Sequence, residues 1–228
     1  MSSGLIVNQI TKHPMAILLS SANSSVLTRW ADYLNGYYET KQVQSLSELN
    51  KMHVTKKFDV ILLHRTMIDI PAFARLIKTL PMVRFFLLSD RPDEDEAMTF
   101  LRLGIVGYGN TYISPPRLIE ALRVIANGGV WLGQKIIQRL IMDTAHHAKE
   151  EDKKDDAFLL VAKLTKSQRK IAELVARGQS NLEIAANLKI TERTVKAHLT
   201  SIYEKTKTGN RLNLALLMNL GKNPSVKP

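Results

Sequence analysis

The sequence contains no cysteine and no apolar run long enough to cross a membrane. Without cysteine the chain can form neither a disulfide framework nor a thiolate metal site. Its longest apolar runs, such as residues 15–19, are strand-sized, whereas a membrane helix needs about 20 apolar residues. Residues 1–9 also lack the basic flank and apolar stretch of a signal peptide. These absences predict a cytoplasmic protein with no membrane partner.

Groups that could form a catalytic centre are also lacking. No nucleophile, base and orienting residue stand in a usable arrangement, and no cluster has metal-ligand spacing. His146 and His147 are adjacent, but no further ligand follows at a suitable distance. We therefore expect a protein that is not an enzyme and that holds no metal and no obligatory cofactor.

Acidic residues are scarce at one end of the chain only. The 228 residues carry a net charge of +11, and 45% of them are hydrophobic, which suits two globular domains. From Ala157 onward we count 13 Lys and Arg against 4 Asp and Glu, a net of +9. The preceding 156 residues have 19 against 17, a net of +2. The carboxy-terminal third is therefore the part that suits a polyanion.

A polar, highly charged stretch separates two regions with apolar patterns and predicts a linker. We place the domains at residues 1–143 and 161–228, with the linker at 144–160. In the first region, apolar runs of strand length (Pro14–Ser20, Phe58–His64, Arg84–Ser89), the stretch Gly104–Tyr112 and a weaker candidate at Glu39–Val43 alternate with helical patterns. This predicts an α/β domain with a doubly wound, flavodoxin-like parallel sheet.

One helix more than this fold requires is predicted between Trp131 and Ala148. Its apolar positions Ile136, Ile137, Leu140 and Ile141 form a stripe that needs a partner surface. We expect Ile137, Leu140 and Ile141 to form a homodimer interface.

The second region predicts four helices. Thr165 and Gln168 form a capping box, and Gly178 ends the helix that they begin. A short helix at Asn181–Leu188 is followed by a tight turn and by a basic helix that Thr191 caps. A last helix spans Arg211–Leu220. Two short helices joined by a turn, the second with a basic outer face, are typical of a helix-turn-helix that enters the major groove of DNA.

The residues Leu164-Thr165, Leu174 to Ala185 and Leu188 to His198 resemble the LuxR/FixJ-type DNA-binding domain over about 55 residues. Gln168 departs from the Glu that is usual in that family, although either residue completes the capping box. The resemblance implies double-stranded DNA as the partner, with Lys196 and Ala197 at bases and backbone. The predicted DNA-binding residues are Asn181, Thr191, Arg193, Thr194, Val195, Lys196, Ala197, His198, Thr200 and Lys205.

Residues 107–129 resemble the response-regulator receiver domain, but the residues of its phosphorylation chemistry are absent. Residues 20–25 contain no acid where a receiver has its acidic pair, and His64 stands where the acceptor Asp should end the third strand. Asn110 and Thr111 lie where a receiver has its Lys, and Ser89 alone matches the switch hydroxyl. We therefore expect a degenerate receiver that binds no Mg²⁺ and forms no aspartyl phosphate.

Residues 128–134 resemble the VpsT/CsgD subgroup, whose members regulate biofilm matrix genes. The motif that binds cyclic di-GMP there is Trp, then Phe, Leu or Met, then Thr or Ser, then Arg. This chain has Trp131, Leu132, Gly133 and Gln134, so the guanidinium that would reach phosphate is absent. Two interpretations stay open, a packing role for Trp131 and an altered cyclic di-GMP site. A protein-interaction module that needs no DNA is a further alternative, which the charge of +9 disfavours.

Overall fold

We analysed a computed structural model, which describes residues 15–80, 83–147 and 159–220. The amino-terminal domain contains five parallel strands in the order β2-β1-β3-β4-β5. The strands are β1 (Ala16–Ser20), β2 (Glu39–Val43), β3 (Val60–His64), β4 (Arg84–Ser89) and β5 (Gly107–Asn110). The predicted parallel sheet is thereby confirmed.

Helices cover both faces of this sheet, as a doubly wound fold requires. They are α1 (Ser24–Leu34), α2 (Leu46–Thr55), α3 (Ile70–Thr79), α4 (Glu94–Leu103), α5 (Pro115–Ala126) and α6 (Gln134–His147). Trp30 of α1 and Leu122 of α5 pack on one face of the sheet. Phe73 of α3 and Phe100 of α4 pack on the other. β1 and β3 are buried along their whole length because helices cover them on both sides, which explains their continuous apolar sequence.

The fifth strand is shorter than the predicted Gly104–Tyr112. Gly104 ends α4 with a φ of +126°, a conformation that L side chains rarely adopt, so the chain turns there and cannot extend. Gly107 begins β5 under Phe86, and a Cβ at this position would lie 2.6 Å from the Phe86 ring. The glycines therefore serve the turn and the close packing of the strand.

The apolar stripe of α6 is divided between two environments. Ile136 is buried in the core of the amino-terminal domain, and Leu140 packs partly against the same core. Ile137 and Ile141 are 45% and 65% exposed. Only part of the stripe is thus available to a partner.

The carboxy-terminal domain consists of α7 (Lys166–Ala176), α8 (Asn181–Leu188), α9 (Glu192–Thr206) and α10 (Arg211–Leu220), as predicted to within two residues. A helical turn at 159–162 precedes them. The centre of the domain is apolar and contains Ile171, Ile184, Val195, Leu199 and Leu214. The greater part of the predicted linker, residues 148–158, lies outside the described residues.

The two domains contact each other through backbone and amide groups. The Asn181 amide donates to the Asn127 carbonyl at 3.5 Å. The buried Asn210 side chain donates to the Leu101 carbonyl at 3.4 Å, and Asn213 donates to the Arg102 carbonyl at 3.3 Å. These bonds hold α8 and the start of α10 against the ends of α4 and α5. Within the ranges described, no helix has the length and apolar content of a membrane span.

Candidate DNA interface

Helix α9 is positioned by its cap and by its buried face. Thr191 accepts a hydrogen bond from the Thr194 amide at 3.1 Å and satisfies a backbone donor that the helix leaves free. Lys189, with a φ of +53°, makes the tight turn from α8. Val195, Leu199 and Ile202 then anchor the helix in the domain core. The opposite face lies outside the domain core.

Two residues predicted to contact DNA are buried in this structure. Val195 is completely buried in the core, so it positions α9 and does not contact DNA, which corrects the prediction. Asn181 is 2% exposed, accepts a hydrogen bond from Arg211 at 3.3 Å and lies against Gly128 of the other domain. The apolar core explains the correction for Val195, whereas Asn181 is buried by the contact between the two domains.

The remaining predicted residues of α9 form one surface, the α9 outer face, which we define as Arg193, Lys196, Ala197 and Thr200. Arg193 and Ala197 are exposed, and Lys196 and Thr200 are half-buried. Lys196 forms an ion pair with Glu192 at 3.2 Å, one helical turn away. Thr194 and His198 are also half-buried, beside this face. Cations next to a small residue allow phosphate contacts and close approach to base edges.

Lys205 takes part in the side-chain hydrogen bonds that join α9 to α7. Gln168 is buried, and its side-chain oxygen accepts from the Thr165 amide at 3.1 Å and from Lys205 Nζ at 2.9 Å. Its amide nitrogen donates to Ser201 Oγ at 3.0 Å. One side chain therefore completes the capping box of α7 and ties two positions of α9 to it. The capping box was predicted from the sequence; the bonds to α9 were not, because they join residues far apart in the chain.

The α9 outer face lies toward the amino-terminal domain. Arg193, Lys196 and Thr200 line a cavity of about 450 Å³ whose far wall includes Lys57 and Arg84. Burial lowers the pKa of Arg84, and Asp59 opposes that shift. Burial also raises the pKa of Tyr203, which lines the same cavity, to about 12. Sequence reasoning missed Arg84 and Lys57, since nothing in their local pattern indicates that they face α9.

At the other end of the sheet, His64 ends β3 in the position where the acceptor of a receiver would stand. His64 Nδ1 lies 2.9 Å from Ser21 Oγ and 3.0 Å from Thr66 Oγ1. Its Nε2 lies 3.2 Å from a carboxylate oxygen of Asp90, a neighbour that sequence reasoning missed. The partners of this buried imidazole are thus two hydroxyls and one carboxylate.

Of the predicted ligand motif, Trp131, Leu132 and Gly133 lie between α5 and α6, and Gln134 is the first residue of α6. The Trp131 amide donates to the Val106 carbonyl at 2.9 Å, and Trp131 packs against the core on the side of α1 and α5. Leu132 packs against the opposite core, whereas Gly133 and Gln134 are exposed. Trp131 and Leu132 therefore have packing partners within their own domain.

The comparisons with known proteins agree with a regulator built from a receiver-like domain and a DNA-binding domain. The sequence model described as "Bacterial regulatory proteins, luxR family" matches residues 162–218. The chain is 30% identical over 181 residues to the glycerol metabolism activator of Pseudomonas putida, covering 78% of this chain and 80% of that protein. It is 29% identical over 175 residues to the transcriptional regulatory protein DegU of Brevibacillus brevis, with 71% and 74% covered.

A solved structure of the RcsB response regulator of Salmonella typhimurium has the same fold, with a TM-score of 0.52 and 17% identity over 92% of this chain and 99% of that one. Fold and sequence together define a two-domain, DNA-binding transcription regulator. The chain belongs to the LuxR family of bacterial regulatory proteins.

The Gln168 hydrogen bonds lead to a stability prediction. We expect Gln168→Ala to lower the free energy of unfolding of the carboxy-terminal domain by about 1–2 kcal/mol, because a cap and two further bonds are lost. Gln168→Glu keeps two acceptor contacts and places a carboxylate beside Lys205, so its stability should stay within about 0.5 kcal/mol of the parent. Urea unfolding of the full chain measures both, and equal stability of Gln168→Ala and parent would refute the role assigned to Gln168.

Proposed function

We propose that this regulator reads specific DNA sites with the α9 outer face, and that it must separate its two domains to do so. The single observation that carries this proposal is the position of that face. Arg193, Lys196 and Thr200 are presented on a capped, core-anchored helix, yet they line a cavity of about 450 Å³ whose opposite wall belongs to the other domain. A DNA duplex does not fit such a space, since its major groove alone is about 12 Å wide. We call this arrangement of the two domains the closed arrangement; it excludes DNA from the α9 outer face.

Binding by the α9 outer face is tested with Lys196→Ala and the control Lys170→Ala, which removes the same charge from an exposed position of α7. We expect Lys196→Ala to weaken specific binding by about 1–3 kcal/mol, the range of a groove contact. Lys170→Ala should bind nearly as the parent does. Fluorescence anisotropy with a DNA site selected from a random pool measures the change, and equal losses in both variants would assign the reading surface elsewhere.

We also propose that aspartyl phosphorylation does not control this protein. A receiver that takes up phosphate needs an acceptor Asp and a group of carboxylates that hold Mg²⁺. In this chain residues 20–25 supply no carboxylate, and the imidazole of His64 stands among Ser21, Thr66 and Asp90.

Acetyl phosphate and Mg²⁺ should therefore add no phosphoryl group to the full chain, as intact-mass spectrometry measures it. His64→Asp should not restore the reaction, because the acids after β1 are still missing. A phosphoryl adduct on the parent chain would contradict the proposal.

We further propose that the protein forms homodimers through α6. Ile137 and Ile141 are exposed apolar residues on one helix, together with Met142, which is 64% exposed. Ile137 and Ile141 line an apolar pocket of about 280 Å³ together with Leu140 of the same helix and Leu212 and Leu216 of α10. A two-fold contact over this surface would give the near-palindromic DNA sites that symmetric regulators bind.

Ile141→Glu should yield monomers in multi-angle light scattering, because a charge buried in an apolar interface is strongly unfavourable. Ile70→Glu is a matched control, since Ile70 is an exposed isoleucine at the start of α3. A dimer that persists in Ile141→Glu would place the interface on another surface.

A role in biofilm matrix genes rests on the resemblance of residues 128–134 to the VpsT/CsgD subgroup, and we propose it on that ground. The packing of Trp131 and Leu132 supports a structural role for this motif over a cyclic di-GMP site. A genome-wide map of bound promoters tests the regulatory role: matrix genes should be enriched among the bound sites, and their absence would reject it.

Cyclic di-GMP should bind the unmodified chain weakly or not at all. Loss of a charge-assisted contact costs about 1.5–3 kcal/mol, or roughly one to two orders of magnitude in affinity. The double change Gly133→Thr, Gln134→Arg should increase the affinity, and the space is open, because nothing lies within 4 Å of a Cβ at Gly133. Calorimetry on both proteins measures this, and tight binding by the parent would favour the altered-site interpretation.

A further inference from the structure

The cavity between the domains is lined by an excess of cationic side chains. Three of them come from the carboxy-terminal domain, Arg193, Lys196 and Arg211, and two from the other domain, Lys57 and Arg84. Asp59 is the one acidic residue among the described residues that line it, and one of its carboxylate oxygens already accepts from the Ala16 amide at 3.0 Å. The closed arrangement therefore brings like charges together across the interface.

Acidic groups compensate part of this positive charge in the closed arrangement: Asp59 and Glu192 attract Arg84, and Glu183 attracts Arg211. Lys196 pairs with Glu192, and Arg211 donates to uncharged oxygens of Gln179 and Asn181. For Lys57, Arg84 and Arg193, no side-chain hydrogen bond or ion pair is formed with any residue in the described ranges. Arg84 is half-buried, whereas Arg193 and Lys57 are exposed. A partly desolvated guanidinium group that forms no hydrogen bond or ion pair is unfavourable unless an anion meets it.

The cavity also offers apolar surface beside these cations. Phe58, Leu199 and the ring of Tyr203 belong to its lining. Its volume of about 450 Å³ lies within the range of about 300–1,000 Å³ that is usual for small-molecule sites. An occupant of this space would combine a multiply charged anionic group with an organic part.

We propose that this cavity binds a small phosphorylated organic anion of nucleotide size, which bridges Arg84 of the amino-terminal domain and Arg193 and Lys196 of α9. Phosphate matches the fork of donors on arginine, and the organic part lies on the apolar wall. This inference rests on the proposed function of the α9 outer face. The ligand neutralises the cations that would otherwise repel each other, so it stabilises the closed arrangement and competes with DNA for the same side chains.

The competition has a predictable size. A ligand that binds the closed state alone raises the apparent dissociation constant for DNA by the factor 1 + [L]/Kd. At roughly ten times its own Kd, the ligand should weaken DNA binding about elevenfold. Arg84 belongs to the amino-terminal domain, so its replacement removes the bridge while leaving the residues that contact DNA unchanged.

The test uses the full chain, a labelled DNA site selected from a random pool, and two probes, ATP and inorganic pyrophosphate, at constant ionic strength. Calorimetry without DNA gives the Kd of each probe, and fluorescence anisotropy gives its effect on DNA binding. The variants are Arg84→Gln and the control Arg117→Gln, an exposed arginine in α5 at the opposite end of the sheet. Lys57→Gln, at an exposed position, provides a second test should Arg84→Gln fail to fold.

We expect saturable binding of at least one probe, with ATP the tighter, and competition with DNA that falls below about twofold in Arg84→Gln and persists in Arg117→Gln. Absence of saturable binding of both probes would overturn the proposal, as would equal competition in Arg84→Gln and parent, because the anion would then act on α9 alone. Failure of the chain to bind any DNA in the absence of probes would instead reject the proposed function, while calorimetry would still report on the cavity.

Discussion

The packing between the two domains is the interaction that decides which residues of the predicted DNA-binding surface are accessible in this structure. One helix face carries Arg193, Lys196 and Thr200, and these residues line the interdomain cavity in the closed arrangement. The interface is held by a few backbone and amide hydrogen bonds, among them those of Asn181, Asn210 and Asn213. Such bonds contribute only about 0.5–1.5 kcal/mol each.

The two ends of the parallel sheet have different chemistry. At the carboxyl ends of the strands, where an α/β fold ordinarily places its ligands, His64 is satisfied by neighbouring hydroxyls and by Asp90. At the amino-terminal ends, Arg84 and Lys57 line the interdomain cavity and form no ion pair with a residue in the described part of the chain. The excess of positive charge thus lies at the interdomain surface, not at the carboxyl edge of the sheet where α/β folds ordinarily bind ligands.

Local signals in the sequence predicted much of the fold because they act over a few residues. The capping box of Thr165 and Gln168, the Thr191 cap and the buried runs of β3 and β4 each specify one element, and the structure confirms them. The predictions were wrong where a feature depends on contacts with residues outside its own segment. The strand at β5 was predicted too long because Gly104 closes α4, and Val195 was assigned to the DNA interface although the core of its own domain buries it.

The sequence by itself determined the two domains, the helix-turn-helix and the residues on the outer surface of α9, because hydrophobic periodicity, caps and net charge are properties of neighbouring residues. Only the tertiary structure decided which of those residues are accessible. Asn181 is buried by an interface with Gly128. Arg84 lines the same cavity as the α9 outer face, although a long stretch of chain separates Arg84 from α9. The physical reason is that burial and electrostatic environment depend on groups brought together from distant parts of the chain, which no local pattern encodes.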